Sequence, residues 1–203
     1  RKEQKEINTG LKLIAKSSII VFIGLFLSKI LTYVYRIIIA RYFGPEVYGL
    51  FTLSVMIISW FIAVSSFGVA EGLVRYVALY RGKKEYNKIK YLFKFSLIIL
   101  FFSGIIAALI LFSSADFISI IIFHNEKLII FLRIFSIAIP IFILASIFNS
   151  IIRAFERISW YSFITNVIQN AIKVIIFIFL IYMGFNSNAV IFSYLLGISG
   201  MLI

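Results

Sequence analysis

Long apolar runs alternate with short polar segments along the chain. Each run approaches the roughly 20 residues that a helix needs to cross about 30 Å of hydrocarbon. The runs predict transmembrane helices at 17–39, 50–70, 92–112, 128–150, 162–182 and 188–203. The pattern therefore predicts an all-α integral membrane protein, with a basic N-terminal segment at 1–16 and a six-helix transmembrane lobe at 17–203.

The two ends of the sequence indicate that it is part of a longer chain. The first residue is Arg1, and the last apolar run is shorter than the others and reaches Ile203. We therefore expect the chain to be part of a longer protein that carries further transmembrane helices after this lobe.

Basic residues are distributed unevenly between the two sides of the predicted bundle. Fourteen lie on the side of the N-terminus and two on the other side. Because Lys and Arg concentrate in cytoplasmic loops, this asymmetry predicts a cytoplasmic N-terminus and a place in the cytoplasmic membrane. The fourteen are Arg1, Lys2, Lys5, Lys12, Lys16, Arg75, Arg81, Lys83, Lys84, Lys88, Lys90, Lys94, Arg153 and Arg157, and the two are Arg41 and Lys127.

Several segments contain residues with specific conformational effects. The stretch from Asp116 to Phe123 is too short to span a bilayer, which predicts an amphipathic segment along the outer interface. Pro140 lies inside the fourth run and predicts a kink there. The small-residue pairs that predict close helix approach are Gly68 with Gly72 and Gly104 with Ala108.

Composition supports the membrane assignment and narrows the partners. Hydrophobic residues make up 63% of the chain and charged residues 14%, with a mean hydropathy of +1.09. Soluble domains are about half apolar and a quarter charged. The net charge of +12 lies mainly beside the apolar runs, so it indicates contact with membrane lipids and no nucleic-acid partner. Cysteine is absent, which excludes disulfides and thiolate chemistry.

Catalytic chemistry has little support in the sequence. Eight acidic residues are present, mostly outside the runs, together with a single histidine, His124. A metal site needs several ligands, so His124 is more simply interpreted as a loop residue at the interface. We therefore expect no enzyme activity, with no catalytic residues, no metal site and no cofactor.

Four basic residues interrupt the apolar runs, although a basic residue at mid-bilayer costs about 2.5–3.5 kcal/mol. Arg36 and Arg133 lie near the outer interface, where a long side chain can extend to water. Lys29 and Lys173 lie deeper, about 18 Å into their runs at about 1.5 Å per residue. We therefore expect both lysines to face a water-filled cavity.

Each deep lysine belongs to a polar stripe with the i, i+3, i+4, i+7 spacing of one helix face. The stripes are Lys29, Thr32, Tyr33 and Arg36 on the first span and Asn166, Gln169, Asn170 and Lys173 on the fifth. Amides in such stripes can serve as structural hydrogen bonds between helices. The cations favour an anion site for phosphate or an acidic sugar. The candidate substrate-binding residues are Lys29, Arg36, Asn166, Asn170 and Lys173.

A second charged pair lies near the inner end of the second span. Glu71 and Arg75 are separated by four residues, a spacing that predicts an ion pair along one helix. Two interpretations stay open for these residues. They are either simple interface anchors or part of an inner gate.

The stretch from Ala40 to Phe51 reads ARYFGPEVYGLF, and 72–78 reads GLVRYVA. Together with 29–36, 153–157 and 169–170, these segments resemble the polysaccharide-biosynthesis flippases. These are O-antigen-type oligosaccharide transporters of the multidrug/oligosaccharidyl-lipid/polysaccharide exporter superfamily. The likeness extends over essentially the whole chain.

The resemblance implies half of a two-lobed alternating-access transporter whose second, C-terminal lobe is the partner of this one. Members move undecaprenyl- or dolichyl-diphosphate-linked oligosaccharides to the outer leaflet. By similarity to related lipid II flippases, Lys29, Arg36 and Lys173 would hold the anionic diphosphate. Glu71 departs from the family pattern, in which a small or polar residue is expected.

Four other classes of membrane protein are alternatives to this interpretation, and they differ in the residues that they require. A multidrug and toxin extrusion-type carrier shares the architecture but moves organic cations and needs a buried carboxylate. A lipid II flippase would use the same diphosphate chemistry. A scaffold without transport would not need deep lysines, and a membrane glycosyltransferase would need acidic catalytic residues.

Overall fold

The computed structural model describes residues 2–156, 158–185 and 188–200, and at 2–10, 12–14, 16–17, 158 and 188 it describes the backbone alone. Arg157, one of the predicted cytoplasmic basic residues, lies outside these ranges. Within them the chain is helical apart from short turns. The helices are α1 (Lys2–Tyr42), α2 (Gly44–Ser66), α3 (Val69–Gly82), α4 (Tyr86–Phe117), α5 (Lys127–Ser136), α6 (Ala138–Ala154), α7 (Ile158–Ser162), α8 (Gln169–Tyr182) and α9 (Asn188–Ser199).

Five helical segments are long and apolar enough to cross a membrane, and they confirm the first five predicted spans. The sixth prediction, 188–203, corresponds to the shorter apolar helix α9, and residues 201–203 lie outside the described ranges. The backbone of the predicted N-terminal segment is continuous with α1, which is helical from Lys2 onwards. The five segments are Ser18–Tyr42, Gly44–Ser66, Tyr86–Ile122, Lys127–Ala154 and Ser159–Tyr182.

A turn divides the end of the second predicted span into two helices. Phe67 and Gly68 adopt left-handed backbone conformations, with φ angles of 44° and 68°, between α2 and α3. Beside this turn, Ser103 Oγ of α4 donates a 2.8 Å hydrogen bond to the carbonyl oxygen of Ser65. Beyond it, α3 packs against α4 and α6. Glu71 therefore lies in the first turn of a separate helix and not at the end of a continuous span.

The segment from Asp116 to Phe123, which was predicted to lie along the outer interface, is not a separate element. These residues continue α4 through a π-helical turn at Ile118–Ile122. Ser119 is buried, and its carbonyl oxygen accepts a 2.9 Å hydrogen bond from the backbone N–H of Asn125. The run of isoleucines lengthens a membrane helix because its exposed side chains at 120–122 can face lipid as the rest of α4 does.

Pro140 has the predicted effect on the fourth span. The helix is interrupted at Ile137, between α5 and α6, because Pro140 cannot donate a hydrogen bond to the carbonyl oxygen of Ser136. Gly104 of α4 approaches this region closely, since a Cβ there would lie 3.1 Å from Pro140 Cα. The close helix approach predicted at Gly104 is confirmed.

The close approach predicted for Gly68 and Gly72 is wrong. A Cβ atom built on either glycine meets no other atom within 4 Å. Gly68 instead supplies the left-handed conformation of the turn before α3.

Ion pairs at the helix ends join residues that the predicted spans place on the same side of the membrane. This agreement supports the predicted alternation of the spans. Arg133, which was predicted to extend towards the outer interface, pairs with Asp116 near the end of α4. The pairs between elements are Glu46–Lys127 at 2.8 Å, Asp116–Arg133 at 2.6 Å, Arg81–Glu156 at 3.1 Å and Glu71–Arg153 at 2.7 Å.

The outer surface of the bundle is strongly apolar. Trp60 and Leu109 are 67% and 63% exposed, as is typical of side chains that face lipid. Inside, α8 packs against α9, and α4 packs against α6. The core includes Leu111, Phe135, Ile143, Phe177 and Ile191. The chain is therefore an all-helical membrane protein.

Candidate functional site

Lys173 of α8 lies in the interior of the lobe with 7% of its surface exposed. Its Nζ donates a 2.7 Å hydrogen bond to Asn170 Oδ1, one turn earlier in the same helix. The same nitrogen lies 4.9 Å from the ring centre of Tyr35 and 5.9 Å from that of Tyr194. None of the ion pairs among the described residues includes Lys173. One amide oxygen and two aromatic rings therefore surround this ammonium group.

The expectation that Lys173 faces a water-filled cavity is wrong. The negative faces of the Tyr35 and Tyr194 rings replace part of the water that a lysine would otherwise need. An ammonium group has three N–H donors, and Asn170 accepts from one of them. The group therefore keeps further N–H donors in a largely apolar surrounding, where a charge interacts strongly with an approaching anion.

Asn170 connects the candidate residues of α8 with those of α1. Its Nδ2 donates 3.0 Å and 2.9 Å hydrogen bonds to Ser28 Oγ and to the carbonyl oxygen of Asn166. Its Oδ1 accepts from Thr32 Oγ1 at 3.3 Å in addition to Lys173. This network agrees with the interpretation of the amides as contacts between helices, and it also fixes the oxygen that holds the ammonium group.

Tyr35 anchors the site on α1. Its hydroxyl donates a 3.0 Å hydrogen bond to the carbonyl oxygen of Val190 and lies 3.0 Å from Ser193 Oγ, both in α9. Its ring packs against Phe177 of α8 with the ring centres 4.7 Å apart. These contacts hold three helices around Lys173 and fix the aromatic face that the ammonium group approaches.

Lys29 and Arg36 lie on an open groove along α1. The groove has a volume of about 470 Å³ and is lined by Phe26, Lys29, Ile30, Thr32, Tyr33 and Arg36. The predicted stripe therefore does share one helix face. Both basic side chains are exposed, and neither forms an ion pair with any described residue.

Two contacts relate this groove to Lys173. Thr32 lines the groove and also donates to Asn170, the residue that holds the ammonium group of Lys173. Arg36, which also lines the groove, directly follows Tyr35, whose ring lies beside Lys173. The structure thus relates Arg36, Asn170 and Lys173 through neighbouring residues, with Lys29 further along the same groove.

Asn166 has a different position from the other predicted site residues. It lies in a π-helical segment, Phe163–Ile168, where its Nδ2 donates a 3.0 Å hydrogen bond to Ser162 Oγ. Ser162 packs against Gly24 of α1, where a Cβ atom would lie only 3.1 Å from Ser162 Oγ. The side chain of Asn166 therefore supports the contact between α1 and the fifth span, and its carbonyl oxygen supports Asn170.

Glu71 does not form the predicted ion pair with Arg75. Both of its carboxylate oxygens instead accept hydrogen bonds from Arg153 of α6, at 2.7 Å and 3.2 Å. The planar guanidinium group of Arg153 matches the two oxygens of a carboxylate, which makes this pair geometrically more favourable than a pair along one helix. Arg75 is exposed and forms no ion pair with a described residue.

The pairing determines the protonation of Glu71, which lies in α3, outside the membrane-spanning segments. The hydrogen bond from Arg153 holds the pKa of the Glu71 carboxyl group below its ordinary value, against the smaller opposing effect of desolvation. Glu71 is therefore ionised at neutral pH, and the pair links α3 to α6.

Sequence reasoning did not identify Tyr35, Tyr194 or Arg153 as residues of these sites. Tyr35 was not singled out, because an aromatic residue within an apolar run gives no signal that its ring faces a cation. Arg153 was counted only as a loop charge. Its spacing from Ser146, Asn149 and Ser150 follows the same i, i+3, i+4, i+7 rule as the recognised stripes and could have identified it.

Metal-binding side chains are scattered in the described part of the chain. It contains no group of three or more His, Cys, Asp or Glu side chains that could hold a metal ion. His124 lies exposed in the turn before α5, with a left-handed backbone at φ 51°. Its surroundings agree with a loop residue.

Comparisons with known proteins give one match. The family described as polysaccharide biosynthesis protein matches residues 14–203, which is nearly the whole chain. No curated protein and no solved structure gives a significant match. The family match covers every candidate residue described above, from Lys29 to Lys173. The chain therefore belongs to the polysaccharide biosynthesis protein family.

Proposed function

We propose that the chain forms the N-terminal lobe of a flippase that moves polyprenyl-diphosphate-linked oligosaccharides across the cytoplasmic membrane. On this proposal the chain belongs to the oligosaccharide-transporting branch of the multidrug/oligosaccharidyl-lipid/polysaccharide exporter superfamily. The observation that carries the proposal is the buried, unneutralised cation at Lys173, next to a groove with two further cations, Lys29 and Arg36. A diphosphate has the charge and the acceptor oxygens that such a site lacks.

The costs and gains of these cations support substrate binding over a structural role. A basic residue placed deep in a bilayer costs about 2.5–3.5 kcal/mol. Lys173 recovers part of this through Asn170 and the two tyrosines, whereas Lys29 and Arg36 have no such partners among the described residues. A bound diphosphate would neutralise all three charges. The cationic groove would also raise the local concentration of the anion before it binds.

The Glu71–Arg153 pair is proposed as part of the cytoplasmic gate. It joins α3 to α6 on the side that carries most of the basic residues, which the positive-inside rule assigns to the cytoplasm. Alternating access would require a second, C-terminal lobe, against which this lobe moves. An ion pair on the cytoplasmic side could open or close as the lobes change position.

The site argues against the alternative carriers to different degrees. A multidrug and toxin extrusion-type carrier would need a buried carboxylate, but the acidic side chains that the structure describes are all at least partly exposed. A lipid II flippase uses the same diphosphate chemistry and fits the groove equally well. For the oligosaccharide flippase and for the lipid II flippase alike, we propose transport without catalysis.

The proposal is tested by transport in proteoliposomes that contain the complete protein. We expect Lys29→Gln and Lys173→Gln each to lower the rate of flipping of a fluorescent polyprenyl-diphosphate-linked oligosaccharide by about tenfold, because each removes a charge-assisted hydrogen bond. Lys127→Gln is the matched control, since it removes a lysine that pairs with Glu46 at a helix end away from the groove. Parental rates in both site variants would contradict the proposal.

A further inference from the structure

The turn between α3 and α4, together with the start of α4, forms a strongly basic surface. Residues 83–94 contain five lysines and a single acidic residue, Glu85, which pairs with Lys88 at 3.0 Å. None of the other ion pairs between described residues includes a lysine of this segment. Four exposed lysines are therefore left without a carboxylate partner in the described part of the chain. We call them the basic corner, and they are Lys83, Lys84, Lys90 and Lys94.

The backbone holds the basic corner in a defined shape. Lys84 adopts a left-handed conformation with φ 59°, and its N–H donates a 3.0 Å hydrogen bond to the carbonyl oxygen of Arg81. The N–H of Glu85 donates a 2.9 Å hydrogen bond to the carbonyl oxygen of Tyr80, which closes the end of α3 as in a Schellman motif. The lysines are thus attached to a compact turn, and a ligand that binds them has less backbone to order.

Cations and aromatic rings lie side by side on the first turns of α4. Lys90 and Lys94 are four residues apart, and so are Tyr91 and Phe95, so each pair lies along one side of the helix. The two rings stack with their centres 6.0 Å apart and their planes at 12°. Tyr91 and Phe95 are 69% and 51% exposed, so the stack is not part of the core. This surface fits a ligand that is anionic at one end and apolar at the other.

The length of α4 places the basic corner at the level of the lipid head groups. The helical segment Tyr86–Ile122 has 37 residues, which is about 55 Å at about 1.5 Å per residue. The hydrocarbon core is only about 30 Å thick, so the segment extends beyond it. Tyrosines are enriched at the membrane interface, and lysines near the end of a span extend their ammonium groups to it.

We propose that the basic corner binds the head groups of acidic phospholipids in the cytoplasmic leaflet. The ammonium groups supply charge and N–H donors for phosphodiester oxygens. The stacked rings of Tyr91 and Phe95 supply apolar surface for the adjoining part of the lipid. A soluble phosphate would leave these rings exposed. The basic N-terminal segment at 1–16 offers no such surface, since it carries five basic residues and two acidic residues but no aromatic residue.

The test compares lipid binding to the purified complete protein in detergent by native mass spectrometry. The probes are phosphatidylglycerol, which is anionic, and phosphatidylcholine of the same acyl chains, which is zwitterionic. We expect the parental protein to bind phosphatidylglycerol at least about tenfold more tightly, because each Lys or Arg near an acidic lipid surface contributes a factor of about five. Phosphatidylglycerol should also raise the melting temperature, since a ligand of the folded state stabilises it.

Three lysines of the basic corner are replaced together. The combined change Lys83→Gln, Lys90→Gln and Lys94→Gln should lower the preference for phosphatidylglycerol at least about tenfold. The melting temperature without lipid should stay the same, because the three side chains are exposed. Replacement of the same three lysines by arginine should retain the preference. If the triple variant does not fold, Lys90→Gln alone serves as the test, with an expected loss of about fivefold.

A matched control removes the same number of charges from the N-terminal segment. The combined change Lys2→Gln, Lys5→Gln and Lys12→Gln should retain the preference for phosphatidylglycerol. An equal loss of preference in this variant would refute the proposal, because it would mean a general attraction between charges.

Three other outcomes overturn the proposal. The first is equal binding of the two lipids by the parental protein. The second is displacement of phosphatidylglycerol by an equal concentration of glycerol 1-phosphate, which would mean a site for a soluble phosphate. The third is binding of a polyglutamate peptide without any preference between the lipids, which would mean an acidic protein partner.

Discussion

Replacement of Lys173 by methionine separates the cost of the buried charge from its use. Methionine fills a similar volume without the charge, and Asn170 Oδ1 still accepts from Thr32 at 3.3 Å. The variant loses a charged hydrogen bond of about 1.5–3 kcal/mol and two cation–π contacts of about 0.5–2 kcal/mol each. It also removes a cation whose burial costs about 2.5–3.5 kcal/mol.

These contributions partly cancel in the free energy of unfolding. We expect a net change between about 1 kcal/mol of stabilisation and about 4.5 kcal/mol of destabilisation. For a chain of this length, each kcal/mol corresponds to a shift in melting temperature of about 2–4 °C. Transport should respond much more strongly. Loss of a charge-assisted contact with a phosphate should reduce the rate at least about tenfold, because each 1.4 kcal/mol is a factor of about ten.

The assay pairs flipping in proteoliposomes with the melting temperature of the same preparation. Tyr35→Phe is the control with the opposite signature, since it keeps the ring beside Lys173 but loses the hydroxyl contacts with Val190 and Ser193. It should lower the melting temperature and leave transport close to the parental rate. A Lys173→Met protein that unfolds far more easily, or that flips substrate normally, would refute the reasoning.

The remaining predictions concern the Glu71–Arg153 pair and the orientation. Glu71→Arg and Arg153→Glu should each impair transport, and the double exchange should restore part of it. The effect of Arg75→Gln on transport should be additive with that of either variant. Strictly additive losses in the double exchange would show that Glu71 and Arg153 act independently. A single cysteine at Lys84 should be shielded from an impermeant thiol reagent in intact cells, and one at Glu126 should react; the reverse labelling would overturn the cytoplasmic N-terminus.

Apolar run length predicted most of the fold. Five runs became membrane-length helices, because a stretch of about 20 apolar residues has few other stable structures in a bilayer. The errors lie where backbone geometry depends on neighbours. The turn at Phe67–Gly68 and the π-helical extension at Ile118–Ile122 both lie within or beside apolar sequence, so hydropathy alone could not locate them.

Pairing between helices was the part of the site that the sequence could not predict. Glu71 and Arg75 have an ideal spacing on one helix, yet Glu71 contacts Arg153, which lies 82 residues away in sequence. A local spacing rule gives only a few tenths of a kcal/mol. A bidentate ion pair with a guanidinium group in the adjacent helix outweighs this local interaction. That ion pair depends on the tertiary register of α3 and α6.

Helical periodicity identifies polar faces in a membrane protein but not their surroundings. The stripe that contains Lys29 opens onto a groove, and the stripe that contains Lys173 is covered by tyrosines from α1 and α9. A third stripe, which ends at Arg153, lines a cavity between α3, α6 and the start of the fifth span. All three follow the same spacing, so the spacing indicates only that polar groups need partners away from lipid. Whether the partner is an aromatic ring, a second helix or a substrate follows from the register of the neighbouring helices, and charge left without a partner after packing is the feature that points to a ligand.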